Sequence, residues 1–375
     1  MLNQFLPLFK VFMPESVKEP LIQTLFSGYI GQGGKVDKFE KELFGYIGNR
    51  YILSLNSGTS GLRLALRLAH VGPGDEVITT PMTCTATNMA IIDSGAKIIW
   101  ADVHPVNGNI DANDIKRKIS KRTKAIMIVH WGGYPCDIEP IKEIATKAGI
   151  KVIEDASHAM GASYNGIKIG NHTDYVVFSL QAVKHITTVD GGILCCQRAS
   201  DYERGKRLRW FGIDRKLKDA NFRHECEQDI IECGYKFHMN DICATIGIEQ
   251  LKYVDKIVQQ SCSNAEFYTN ELKKIDKIAL IPQLENRKGS YLFYTLHISA
   301  NIIDFSNYMF SKGIMVSQVH SRNDRFTCFK PFCNGQLPGV DEFTRSMICI
   351  PSGWWITNES RIKIVNEIKS YFGRR

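Results

Sequence analysis

Between residues 50 and 200, short apolar runs alternate with stretches in which apolar residues recur every three or four positions. The runs read YILSL, DEVITT, KIIWAD, KAIMIVH, KVIED, DYVVFS and GGILCC, rich in β-branched residues and apolar nearly throughout. A strand with one wet face alternates apolar and polar positions, whereas a strand covered on both faces is apolar along its length. Between the runs, Leu62, Ala65, Leu66 and Ala69 form a stripe at helical spacing, and Gly72-Pro73-Gly74 stops it. This alternation predicts βαβ units on a mostly parallel sheet with helices on both faces, an α/β fold. Beyond residue 250 the texture changes: a long amphipathic helix is expected from Ile248 to Leu272 and another from Arg361 to Tyr371, with isolated strands such as YLFYTLHIS. The expected organisation is a large domain over residues 1–250, including an N-terminal segment, and a smaller C-terminal α/β domain over 251–375.

Composition narrows this picture without redrawing it. Hydrophobic residues at 44% and charged residues at 23% place the 375-residue chain in the ordinary globular range. The formal charge is +8, but Lys and Arg are interspersed with Asp and Glu, which argues for a mild bias toward anionic ligands and against nucleic acid. No apolar run approaches the roughly 18 to 20 residues of a membrane span. The opening MLNQFLPLFKVFMPESVKEP lacks a basic start and a small-residue cleavage site, so no membrane role and a cytoplasmic location are expected. The eleven cysteines include no C-x-x-C pair, and Cys195 and Cys196 are neighbours ill placed to share a metal. Reduced thiols, with Cys195, Cys196 and Cys349 as small core residues, and no metal site are the expectation.

Open parallel sheets bind ligands at the carboxyl ends of their strands, so the residues after each run carry the chemistry. After YILSL comes Asn56-Ser57-Gly58-Thr59-Ser60, opening a helix: either its amides and hydroxyls receive a phosphate, or Ser57 or Thr59 merely caps the helix. After KVIED, Asp155 stands at the strand end with His158 three residues on, a pattern open to a catalytic acid, a helix cap or a metal ligand. After DYVVFS, Ser179 is followed five residues later by Lys184 in an apolar and hydroxylated setting, where partial desolvation lowers a lysine pKa and yields an amine nucleophile. A phosphate cradle at a helix start, a carboxylate for a pyridine nitrogen and a lysine for a Schiff base are together what pyridoxal 5′-phosphate (PLP) demands.

The same segments resemble the DegT/DnrJ/EryC1/StrS family of sugar aminotransferases, within the fold-type I PLP-dependent transferases. The resemblance runs over most of the chain and includes Gly33-Gly34 ahead of VDKFEKELFGYIG, then NSGTS, VGPGDEVITTP, EDASHAMGASYNG, FSLQAVKHITTVDGG and GYKFHMNDICATIG, in collinear order. It implies a large domain with a seven-stranded-type sheet, PLP held covalently by Lys184, Asp155 paired with the ring nitrogen, and His158 near the ring's phenolic oxygen. It implies phosphate contacts from Gly58, Thr59 and Ser179. It further implies a homodimer with shared active sites, in which the segment GYKFHMND reaches the neighbour's cofactor; of its candidates Lys236, His238 and Asn240, the last two are the residues expected there. The substrates implied are a nucleotide-linked 3-keto or 4-keto sugar and L-glutamate, with pyridoxamine 5′-phosphate formed in the half-reaction. Two departures stand out: Cys84 occupies the place where most members stack an aromatic ring on the cofactor, and HWGGYPCD replaces a Tyr-Gly-Gln-type turn.

His185 is an expected substrate contact, and His320 and Arg322 in SQVHSRND either face the sugar or only line a domain boundary. In KRLRWFGIDRKLK, Arg207, Arg209, Arg215 and nearby lysines either meet an anionic substrate or form a solvated helix end. A PLP-dependent nucleotide-sugar dehydratase is the alternative on the same scaffold, but that branch carries His at the Schiff-base position, where this chain keeps Lys184. A non-catalytic PLP-fold binding protein is the other alternative, and it has no use for a nucleophilic lysine there.

Overall fold

The computed structural model describes residues 5–215, 229–333 and 335–373. Seven strands form one central sheet: β1 (Ile52–Leu55), β2 (Glu76–Thr79), β3 (Lys97–Trp100), β4 (Thr123–Val129), β5 (Lys151–Asp155), β6 (Tyr175–Ser179) and β7 (Gly192–Cys196). Their spatial order is β1-β7-β6-β5-β4-β2-β3. All neighbours pair in parallel except β7, which runs antiparallel to both β1 and β6. Every residue of β1, β2 and β7 is buried, as the unbroken apolar runs require of strands covered on both faces.

The covering helices are α1 (Lys18–Leu25), α2 (Gly34–Ile47), α3 (Gly58–Leu68), α4 (Thr85–Asp93), α5 (Ala112–Lys118), α6 (Ile138–Ala148), α7 (Ala199–Leu208) and α8 (Asp241–Leu251). Helix α2 buries Val36, Phe39, Leu43 and Ile47 and ends at Gly48, whose φ of 88° needs a residue without a Cβ. Helix α3 buries more than the stripe read from its sequence: Leu64 and Leu68 are enclosed as well, because α4 and α7 lie against its outer side. Gly61 lets it approach the sheet, since a Cβ there would stand 2.7 Å from a methyl of Val177.

The expected helix from Ile248 to Leu272 is two helices, α8 ending at Leu251 and α9 (Val254–Leu272). Along α9 the packing changes partner: Val254, Ile257 and Val258 join the core under the sheet, whereas Ala265, Tyr268 and Leu272 join a C-terminal core. That second core is built on a three-stranded antiparallel sheet of β8 (Ile278–Leu280), β9 (Tyr294–Ile298) and β10 (Met347–Ile350), with α10 (Ile302–Ser311), α11 (Pro338–Ser346) and α12 (Asn358–Gly373) around it. The N-terminal segment touches both cores: Leu6 bridges Ile314, and Trp354 and Trp355 donate to the carbonyls of Lys10 and Pro7, while Leu8 and Phe12 pack with the residues around the central sheet. Among the described residues every cysteine is free, with Cys195, Cys196 and Cys349 buried, and no helix is long and apolar enough to cross a membrane.

Candidate active site

The carboxyl ends of β1, β5 and β6 converge on a cavity of about 400 Å³ lined by Gly58, Thr59, Cys84, Asp155, His158, Ser179, Lys184 and His320, among others. Residues about 100 positions apart in sequence meet here because the strand order brings β5 and β6 side by side and folds α3 across the end of β6.

The start of α3 combines a helix cap with open amides that face the cavity. Ser57 caps the helix, its hydroxyl accepting from the Ser60 amide at 3.0 Å. Gly58 and Thr59 then lie in the first turn, where amides have no carbonyl one turn back, and they line the cavity. A Cβ on Gly58 would stand 3.0 Å from that of Ser179, so glycine is what allows the helix start to meet the Ser179 hydroxyl. Such a positive helix terminus beside a hydroxyl matches a phosphate.

Asp155 is held on both oxygens. Thr87 donates its hydroxyl to one at 2.7 Å, and the Ser157 amide donates to the other at 3.0 Å. Thr83, just ahead of α4, lies 2.8 Å behind Thr87 of its first turn, completing a buried hydroxyl relay. Neither threonine is singled out by sequence, because their value depends on β5 lying beside them.

Burial holds the Lys184 amine below its ordinary pKa, with Asp155 and Cys84 pulling partly the other way. Burial also pushes His158 well below the usual histidine value, the Lys184 charge adding to the effect, and it takes His320 down to about 4. Both rings are therefore neutral near pH 7. They stack at 5.5 Å with an angle of 8° between their planes. His158 Nδ1 and His320 Nε2 are buried and have no partner among the described residues. Orphaned buried nitrogens of this kind mark polar groups that a ligand completes. Together with the paired carboxylate, the amine and the helix-start cradle, they fit PLP.

Cys84, at the foot of α4, lines the cavity, and among the described residues no Phe, Tyr or Trp lines it. His185 does not line it: the ring is buried next to Lys184 and bonded through Nε2 to the Ser290 carbonyl at 2.9 Å, with Nδ1 buried and without a partner among the described residues. Arg322 is also elsewhere, clasped by Asp324 at 2.6–2.8 Å and by Asp341. Asn240 caps α8 by accepting from the Cys243 amide, and His238 packs on Trp210 beside the end of β1; neither lines this chain's cavity. Arg209 is buried against Glu40, and Arg215 lies over Trp210 while donating to the Gln32 carbonyl, so these two charges are used inside the fold. Arg207 lies off the cavity, and Lys216 and Lys218 are outside the described residues. The HWGGYPCD turn is a short 3-10 segment at Trp131–Gly133 in which Gly133, at φ 90°, presses within Cβ distance of the His158 carbonyl. It braces His158 from behind.

A mostly parallel seven-stranded sheet of this order, carrying a lysine and a carboxylate at its carboxyl edge, defines a fold-type I PLP-dependent transferase. The sequence pattern of the DegT/DnrJ/EryC1/StrS aminotransferase family matches residues 13–369, and the chain belongs to that family, whose members are PLP-dependent. Among solved structures, AtS13 from Actinomadura melliaura superposes with a TM-score of 0.93 at 39% identity, covering 98% of each chain. The sugar aminotransferase CalS13 from Micromonospora echinospora gives 0.93 at 35%, covering 97% of this chain and 99% of its own. The UDP-4-amino-4-deoxy-L-arabinose–oxoglutarate aminotransferase of Shewanella sediminis is 37% identical over 290 residues, 76% of this chain and 74% of that protein.

Proposed function

We propose that the protein transfers the amino group of L-glutamate to a nucleotide-linked 3-keto or 4-keto sugar, using PLP held at Lys184. The observation that carries this reading is one half-buried lysine and one doubly anchored, buried carboxylate sharing a cavity with a helix start fit for a phosphate. A relative acting on a UDP-linked amino sugar and oxoglutarate supports the substrate pair.

When bound, the cofactor supplies a protonated ring that accepts the electron pair left at carbon when a proton departs. Asp155 holds the proton on the ring nitrogen, and Thr87 with the Ser157 amide keeps its carboxylate aimed. Gly58, Thr59 and Ser179 hold the phosphate. His158, kept neutral by burial, offers Nδ1 to the ring's phenolic oxygen. Lys184, an amine more easily deprotonated than an exposed lysine, removes the α-proton of glutamate and later delivers a proton to the sugar carbon. The pair of half-reactions returns 2-oxoglutarate and an amino sugar.

The functional unit in this reading is a homodimer, in which His238 and Asn240, outside their own chain's cavity, serve the neighbour's. The exposure of Phe26 at 86% and Ile231 at 92% supports a covered surface. The test is incubation with 15N-glutamate and dTDP-, UDP- or GDP-linked keto sugars, read by mass spectrometry. A labelled amino sugar is expected; loss of oxygen from the sugar without nitrogen gain would replace this reading with dehydration.

A further inference from the structure

The cavity around Lys184, at about 400 Å³, lies at the lower end of the roughly 300–1,000 Å³ that drug-sized ligands fill. The cofactor takes up part of it, so the nucleotide end of a sugar nucleotide must lie outside. A second cleft, about 640 Å³, opens on the other side of His320, the one residue that lines both. Its walls are the segment 318–326 and helix α11 with the start of β10.

We infer that this second cleft receives the nucleoside diphosphate of the substrate, with Arg325 and Arg345 on the diphosphate and Phe326 under the base. The inference rests on the nucleotide-sugar reading above and adds the place where the nucleotide sits.

The lining carries three guanidiniums, Arg322, Arg325 and Arg345, against one carboxylate, Asp341. Arg322 and Asp341 pair with each other, and Asp324 takes the rest of the Arg322 fork. Arg325 and Arg345 make no ion pair or hydrogen bond among the described residues, so two unspent forks face the cleft. A guanidinium fork matches phosphate oxygens bidentately, which a surface-neutralising role does not require. Phe326 stands beside Arg325 with 38% of its surface exposed. An aromatic face stacks on any base, so the cleft recognises the diphosphate first and the base weakly.

The segment between the cavities is built to hold a fixed shape. Val319 has φ 60° and sits at the centre of a γ-turn closed by the His320 amide on the Gln318 carbonyl at 2.7 Å, a strained place for a β-branched residue. Gln318 is anchored to the carbonyls of Thr344 and Met347. Asn323, buried, donates to the Thr83 carbonyl and accepts from Asn88 at 2.9 Å each, tying the segment to the helix that supports Asp155. Strain so braced keeps His320 between the sugar's reacting carbon and the phosphates.

The test is titration calorimetry of UDP, dTDP and GDP into the PLP-loaded protein, into the R325Q/R345Q double variant and into R325K/R345K. Binding by the native protein should weaken with added salt, fall by about tenfold or more in the Gln variant and fall less in the Lys variant, which keeps the charge. F326A should weaken all three nucleotides by a similar factor. Equal affinity in the native and Gln proteins, or no binding of any of the three to the native protein, would overturn the assignment. Release of 2-oxoglutarate from glutamate by the native protein, measured separately, reports on the aminotransferase reading itself, so the two failures are distinguishable.

Discussion

At the scale of single residues, catalysis depends on how Asp155 is aimed inside a buried site. A carboxylate out of water costs free energy unless its oxygens are bonded, and here a hydroxyl and an amide do this from opposite sides. Thr87→Val keeps the shape and removes the hydroxyl, leaving one oxygen without its donor, a loss of about 1–3 kcal/mol for a buried charged acceptor. Turnover is expected to drop by about tenfold or more, with the pH at which the bound cofactor's absorbance changes displaced. Thr87→Ser should restore both. A Val variant with native absorbance and turnover would show that the relay is only structural.

The elements that frame the site were legible in sequence to different degrees. The seven apolar runs became the seven strands because covered strands need no polar alternation, and the strand-end positions of Asp155 and Ser179, with Lys184 in the loop that follows, came from that alone. Other features depend on contacts that spacing does not encode. Thr87 reaches Asp155 across 68 residues and Asn323 reaches Asn88 across 235. The break between α8 and α9 falls at Lys252-Tyr253, without proline or glycine to announce it. His185, an expected substrate contact, follows Lys184 in sequence, and its ring bonds to the Ser290 carbonyl, a contact that spacing does not encode. Where β7 begins, backbone meets backbone closely: a Cβ on Gly192 would lie 2.3 Å from the Ser57 carbonyl oxygen and 2.6 Å from the Gly58 amide nitrogen. Gly192→Ala must therefore move the start of α3, at a cost of about 1–3 kcal/mol. A lower melting temperature together with weaker PLP affinity is expected; a lower melting temperature with unchanged affinity would separate the phosphate cradle from this contact.

Across the whole molecule, buried neutral histidines couple stability to pH. Burial, with the Lys184 charge adding to it, takes His185 and His320 down to about 4 from 6.5. Between those values the unfolded chain binds protons that the folded protein refuses, so the contribution is complete above pH 6.5 and lost as pH falls toward 4. Melting temperature should decline through that window, and His185→Asn should flatten the decline by about one proton's worth of slope. An unchanged slope in that variant would mean that other groups govern the acid side.

The claim on which the rest stands is that PLP is bound covalently at Lys184. Borohydride reduction of the PLP-loaded protein, followed by proteolysis and peptide mass mapping, tests it directly. The account predicts the reduced cofactor on Lys184 alone, and its absence from the Lys184→Ala variant. Label on a different lysine, or on none, would contradict it.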